Sequence, residues 1–165
     1  MKHLLLIAFL SGCTYAEALS PSKDPVFSAM ENLGMNERTH RQELKELTGV
    51  DPVRTEWCAA FVNAILDLND IPGSEEVSDY PLTARSFLNW GVPVQTPIKG
   101  DLVVFPRGNK GWQGHVGFYI TTKYINGVSY YVILGGNQND SVSYELYRAS
   151  SALSIRRHES AFWSE

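Results

Sequence analysis

The chain has 165 residues, with 14 Lys and Arg against 18 Asp and Glu, a formal charge of −4 and two cysteines. That balance excludes nucleic acid as the main partner, because neutralising phosphates needs a basic face. There are no long charge runs, internal repeats or low-complexity tracts, and the length suits one domain with a real core behind a short leader.

Residues 1–16 read as a signal peptide: Lys2 and His3, the apolar run Leu4 to Leu10, then small residues. The run is too short for a membrane span, which needs about 20 residues. Leu10-Ser11-Gly12-Cys13 has the form of a bacterial lipobox, with Cys13 as the acylated first residue of a lipoprotein. Cleavage after Thr14-Tyr15-Ala16 also satisfies the small-residue rule, but the lipobox cysteine sits directly behind the apolar run and is favoured. Residues 17–23 form a tether around Ser20-Pro21-Ser22-Lys23, and 24–165 form a single domain.

Asp24 is placed to cap a first helix with Pro25 at its first position, and Val26, Ala29, Met30 and Leu33 share a face. A weaker helix is expected around Glu37 to Leu47, ending near Gly49. The strongest begins near Glu56, where Trp57, Ala60, Phe61, Ala64, Ile65 and Leu68 follow the helical period and Thr55 offers an N-cap. Pro72 to Pro81 reads as a loop, and Thr83 to Trp90 as a helix turning Ala84, Phe87 and Leu88 inward. After Gly91 the pattern becomes strands: Leu102 to Phe105 behind a Lys99-Gly100-Asp101 turn, then His115 to Thr121 and Ser129 to Leu134. The last two are joined by the hairpin signal Asn126-Gly127, and Tyr144 to Tyr147 forms a further strand. Helices first and antiparallel strands second indicate an α+β domain.

Once the leader is removed or acylated, Cys58 stands alone, an unpaired thiol in an exported chain. A helix N-terminus favours thiolate, so Cys58 is expected to be ionised below the usual thiol range. It lies about 100° around the helix from Trp57, beside the buried stripe rather than in it, where the sulfur edges a cleft. Its backbone N–H is a candidate for an oxyanion hole. Of the remaining histidines, His40 and His158 sit in polar stretches and read as solvated, whereas Gly114 and Gly117 leave room beside His115. Cysteine on a helix followed by histidine on a strand is the order that papain-like hydrolases use.

A third group should orient His115. A strict two-residue turn at Asn126-Gly127 pairs Ile125 with Val128 and, counted back, His115 with Gln138. One bulged residue, allowed at Gly135 or Gly136, brings Asn137 opposite instead. Spacing alone leaves both open. The histidines show no zinc-ligand spacing, phosphate-binding glycine loops are absent, and no cofactor or metal is expected.

Five blocks stand in order: Trp57-Cys58-Ala59-Ala60-Phe61-Val62-Asn63, Ala84 to Gly91, Gly100 to Phe105, Gly114-His115-Val116-Gly117-Phe118-Tyr119 and Leu134-Gly135-Gly136-Asn137-Gln138. Together they resemble the bacterial NlpC- and CHAP-type amidase/endopeptidase superfamily, papain-like enzymes that cut peptidoglycan peptides. The resemblance covers Asp24 to Arg157. It implies a fold in which N-terminal helices, the cysteine helix among them, pack on an antiparallel sheet. It also implies Cys58 as nucleophile, His115 as general base and acid, and Asn137 as orienting residue with Gln138 as alternative. Trp57, Arg85 and Trp112 are candidate substrate contacts. The segment Ser74 to Leu82 is longer than usual in that branch and precedes Arg85 near the cleft, and no separate wall-binding module accompanies the domain.

The expectation is therefore an exported cysteine hydrolase of amide bonds in wall peptides, periplasmic or held at the envelope through Cys13, otherwise secreted, and monomeric by default. Its only membrane contact would be the Cys13 anchor. The rivals are a catalytically silent module of the same fold that binds wall peptides, and a thiol acyltransferase acting on lipids.

Overall fold

A computed structural model describes residues 24–158; the signal peptide, Cys13 and the tether expected for the N-terminus lie outside them. Three short helices come first. Helix α1 (Pro25–Met30) starts as the sequence indicates, with the Asp24 carboxylate accepting from the Val26 and Phe27 amides at 2.9 and 3.3 Å. It stops after six residues, so Leu33 falls beyond it. Val26 and Ala29 are buried, whereas Met30 and Leu33 are exposed. Helix α2 (Arg41–Thr48) ends on Gly49 in the left-handed conformation, φ 73°. Helix α3 (Cys58–Asp67) carries the main apolar face, with Ala59, Phe61, Val62 and Ile65 fully buried.

The segment Ala84–Asn89 winds as a 3-10 helix rather than an α-helix, turning Ala84 and Phe87 into the core with Leu88 at its edge. The loop before it contains one 3-10 turn, Ser74–Glu76, held by Asn63 Oδ1 accepting the Ser74 amide at 2.9 Å. Six antiparallel strands follow: β1 (Val92–Val94), β2 (Leu102–Pro106), β3 (Gly114–Ile125), β4 (Val128–Gln138), β5 (Ser141–Arg148) and β6 (Ser154–Arg157), in the order β1-β6-β2-β3-β4-β5. The helices-then-sheet α+β order expected from the sequence is present. The edge strand β1 and the strand β6 had no sequence signal, since both are short and β6 is charged.

Each side of the sheet has its own core. Leu102, Val104, Val116, Phe118 and Leu134 pack with α1, α2 and α3, while Val103, Phe105, Tyr119, Ile133 and Ile155 form a smaller cluster on the opposite face. Strand alternation thus turns His115 away from the helices, onto the face of its neighbour Phe105. A buried ion pair fixes β6: Arg157 Nε and Nη2 donate to Asp101 Oδ1 and Oδ2 at 2.8 and 2.7 Å, and the Ile98 amide donates to Oδ2 at 2.8 Å.

The hairpin turns on Asn126 and Gly127, both at positive φ (50° and 77°), as a type I′ turn requires. Register runs from Ile125↔Val128 to Thr121↔Val132. It then slips at Ile120, so that Tyr119 pairs Ile133 and Phe118 pairs Leu134. A second irregularity lies in β4: Gly135 pairs Ser143 but Gln138 pairs Ser141, one residue more on β4 than on β5. Asn137, at φ 56°, lies in this bulge.

Candidate active site

Helix α3 begins at Cys58 itself. Trp57 takes the N-cap place with no side-chain cap bond, which corrects the expectation for Thr55. Thr55 is held in the preceding turn instead, where the Asp51 carbonyl accepts both the Arg54 and Thr55 amides at 3.0 Å. The first intrahelical bond is Phe61 N–H to Trp57 C=O at 2.9 Å, which leaves the Cys58, Ala59 and Ala60 amides without acceptors inside the helix. The start of α3 is seated on β4: a Cβ on Gly136 would lie 2.5 Å from Trp57 Cζ3 and 2.8 Å from Phe61 Cβ. Trp57 is fully buried there, its indole N–H donating to Glu37 Oε2 at 3.3 Å, so it is a core residue and not a substrate contact.

The Cys58 thiol, free and 4 % exposed, reaches β3 where β4 has moved away. The ladder between β3 and β4 ends at Phe118↔Leu134, while β2 continues beside β3 to Gly114. The Tyr119 amide donates toward β2, to Asp101 C=O at 2.7 Å, so alternation turns the Val116 amide toward the place β4 has vacated. The sulfur lies there, within reach of the Val116 and Ala59 amides.

Those amides do not ionise it. Burial is the dominant influence and pushes the Cys58 thiol above its ordinary value, against Arg107 and the two amides, which favour thiolate. The expectation of an ionised thiol at a helix N-terminus is therefore overturned: desolvation outweighs the helix.

His115 is also fully buried, and burial followed by the nearby Arg107 charge lowers its pKa to about 3. Its Nε2 lies 2.9 Å from Gln138 Oε1. The Gln138 amide nitrogen faces two carbonyls, which can only accept, Ser143 C=O at 2.5 Å and Ile133 C=O at 3.3 Å, so its oxygen is the atom toward the imidazole. Gln138 Oε1 accepts, so Nε2 carries the hydrogen and Nδ1 keeps a lone pair. That Nδ1 is buried with no hydrogen-bond partner, and no hydrogen bond joins it to Cys58.

The residue on the imidazole is thus Gln138 rather than Asn137. The slip at Ile120 alone would bring Asn137 opposite His115, but the β4 bulge shifts the register back by one. Asn137 instead donates from Nδ2 to Glu56 Oε2 at 2.6 Å.

Two residues without a sequence motif complete the surroundings. Tyr147 lies flat against His115, ring centroids 5.1 Å apart at 16°, and against Phe105 at 4.5 Å and 22°. Burial raises its hydroxyl to about 12, so it stays neutral. Arg107, directly after β2, donates from Nη2 to Asn137 C=O at 3.0 Å, and its charge is felt by the Tyr147 hydroxyl. The only earlier signal for Tyr147 was its alternation with Leu146 along a strand; Arg107 had none beyond a cation after a strand.

A cleft of about 270 Å³ opens onto the sulfur, lined by Glu56, Cys58, Leu82, Thr83, Ala84, Arg107, Trp112, Gln113 and Gly114. Trp112, 61 % exposed, stands on it as expected. Arg85 is not among the lining residues: its Nε donates to Gln113 C=O at 2.8 Å, supporting the wall from behind. Gln113 Oε1 in turn accepts the Asn109 and Lys110 amides at 3.0 Å, which ties down the loop carrying Arg107. The other two histidines among the described residues are elsewhere and neither is simply solvated. His40 Nδ1 accepts the Asn36 amide at 3.2 Å, and His158 packs on Trp90 with centroids 5.4 Å apart. Among the described residues, no group of three or more His, Cys, Asp and Glu side chains could hold a metal ion.

Comparison with known proteins adds no relative: no family model matches the chain, and a search of curated proteins finds no match.

Proposed function

We propose that this chain is a cysteine hydrolase of amide bonds in peptidoglycan peptides, built on a papain-like arrangement and exported to the cell envelope, where Cys13 offers a lipid anchor. The observation that carries the reading is a thiol at the first residue of α3, lining a cleft and meeting β3 at Val116, one residue along that strand from a buried histidine whose tautomer Gln138 fixes so that an unpartnered Nδ1 holds a lone pair. The chemistry follows from those atoms. As Cys58 sulfur attacks the carbonyl carbon, its proton passes to Nδ1; the tetrahedral oxyanion is met by helix amides at the start of α3. His115 returns the proton to the leaving amine, and water activated by the same nitrogen hydrolyses the thioester. Both groups are neutral at rest, so proton transfer accompanies attack rather than preceding it. The two must also close to hydrogen-bond distance when substrate binds, as catalytic contacts in empty sites often do.

The test is to incubate the protein and its Cys58→Ala variant with peptidoglycan of several chemistries and to examine the fragments by mass spectrometry. New fragments that need Cys58 support the reading; their absence from every wall type overturns it. One observation favours the second reading, a silent module that holds wall peptides: the thiol is raised rather than ionised and makes no hydrogen bond to His115. Peptide binding that Cys58→Ala leaves intact, with no cleavage, would select it.

A further inference from the structure

We infer that Arg107 is the carboxylate-recognising residue of the cleft, that its substrates carry a free carboxylate beside the bond attacked, and that Glu56 occupies this place in the empty protein. The inference rests on the hydrolase reading for the position of the scissile bond. Among the described residues lining the cleft, Arg107 is the one cation; Leu82, Thr83, Ala84, Trp112, Gln113 and Gly114 are neutral. Its charge is felt by Cys58, His115 and Tyr147 together, so it lies close to the reacting atoms. Its fork is divided. Nη2 is committed to the Asn137 carbonyl at 3.0 Å, while Nη1 faces Glu56 Oε2 at 3.5 Å.

That second contact is loose. Charge-assisted N–H···O bonds run at about 2.7–2.9 Å, and the Glu56 side chain is 79 % exposed, where ion pairs contribute little. Asn137 Nδ2, at 2.6 Å, keeps the same Glu56 oxygen nearby. A carboxylate already lies on the free side of the guanidinium at the cleft wall, but water competes for it there. A substrate carboxylate brought into the cleft, away from water, would displace it and make a stronger bond to the same nitrogen. Arg107 rides on a loop pinned by Gln113, so the cation is held in place before substrate arrives.

Two measurements test this. The first is calorimetric binding to the full chain carrying Cys58→Ala, using a stem tetrapeptide with free carboxylates and the same peptide as its carboxamide. The acid form is expected to bind about tenfold tighter or more, the scale of a hydrogen bond to a charged group. Arg107→Gln in the same background should erase that preference, and Glu56→Gln should tighten the acid form alone. Equal binding of the two forms, a preference that survives Arg107→Gln, or no binding of either form overturns the inference. Glu56→Gln, on an exposed side chain, carries the test should Arg107→Gln not fold. The second is cleavage by the unmutated protein, which separates the two ideas. Cys58-dependent cleavage indifferent to the carboxylate removes the Arg107 role and leaves the hydrolase; acid preference in binding without cleavage does the reverse.

Discussion

His115 should make the fold acid-sensitive in a way that one substitution reveals. Its pKa in the folded chain is about 3 against an ordinary 6.5, because burial and then Arg107 disfavour the imidazolium. A group whose folded pKa is depressed binds its proton first in the unfolded state. Stability is then fully present above the unfolded value and falls as pH drops from about 6.5 toward 3. At about pH 4.5 the unfolded chain has gained two pH units of protonation, roughly 1.4 kcal/mol each, so the loss is about 2.7 kcal/mol relative to neutral pH. Carboxylates contribute acid sensitivity of their own. They do so equally in a His115→Gln variant, whose amide still donates to Gln138 but cannot titrate. Urea unfolding of both proteins at about pH 7.5 and 4.5 isolates the histidine. The unmutated chain should lose about 2–3 kcal/mol more than the variant. Parallel losses, within about 0.5 kcal/mol, would show that the imidazole is not desolvated and would refute the reasoning.

Gln138→Ala should cost about 10- to 100-fold in turnover, because it frees the imidazole tautomer, whereas Asn137→Ala should stay within a few-fold; steady-state rates on one wall-peptide substrate separate them. Gly136→Ala pushes a methyl into Trp57 and Phe61 and should destabilise the chain by about 1–3 kcal/mol in denaturant, slowing any Cys58 chemistry in parallel. Arg157→Ala leaves Asp101 buried and unpaired and should cost about 3 kcal/mol or more, read as a lowered urea midpoint. Cys58 in the substrate-free protein should alkylate more slowly than free cysteine at neutral pH, and Arg107→Gln should slow it further, since burial raises the thiol and Arg107 opposes the rise. A thiol that reacts faster than free cysteine would contradict that balance.

Local rules carried the elements whose signals are local. Asp24 with Pro25, Gly49 after α2 and Asn126-Gly127 between β3 and β4 each act through their own backbone geometry, and each does what its residue type demands. The failures share a different cause. Thr55 has the chemistry of a cap but is held in a turn by Asp51, and Trp57 follows the helical stripe because it is core rather than because it meets substrate. The ionisation of Cys58 escapes local rules for the same reason: a helix terminus is visible in sequence, whereas the apolar packing that desolvates the sulfur is tertiary. Arg107 and Tyr147 are invisible to motif reading because they meet His115 and Cys58 only after three strands have folded together.

The choice between Asn137 and Gln138 shows where counting along a hairpin stops being sufficient. A strict count from Asn126-Gly127 selects Gln138, a single bulge selects Asn137, and the molecule has a bulge on each side of the question. The two slips cancel at His115, so the strict count arrives at the right residue for an incomplete reason. The intervening irregularity is not idle. By ending the ladder between β3 and β4 at Phe118↔Leu134, it frees the Val116 amide for the sulfur, and by stepping Asn137 aside it supplies the carbonyl that holds Arg107. Gly136 is needed here, since only a residue without a Cβ lets Trp57 and Phe61 close on the strand. A perfectly regular hairpin would keep Gln138 opposite His115 yet pair Val116 across to β4, leaving the thiol without the Val116 amide and the guanidinium without its anchor. The bulge in β4, more than any single side chain, is what sets the Val116 amide, the Asn137 carbonyl and Gln138 where this candidate site needs them.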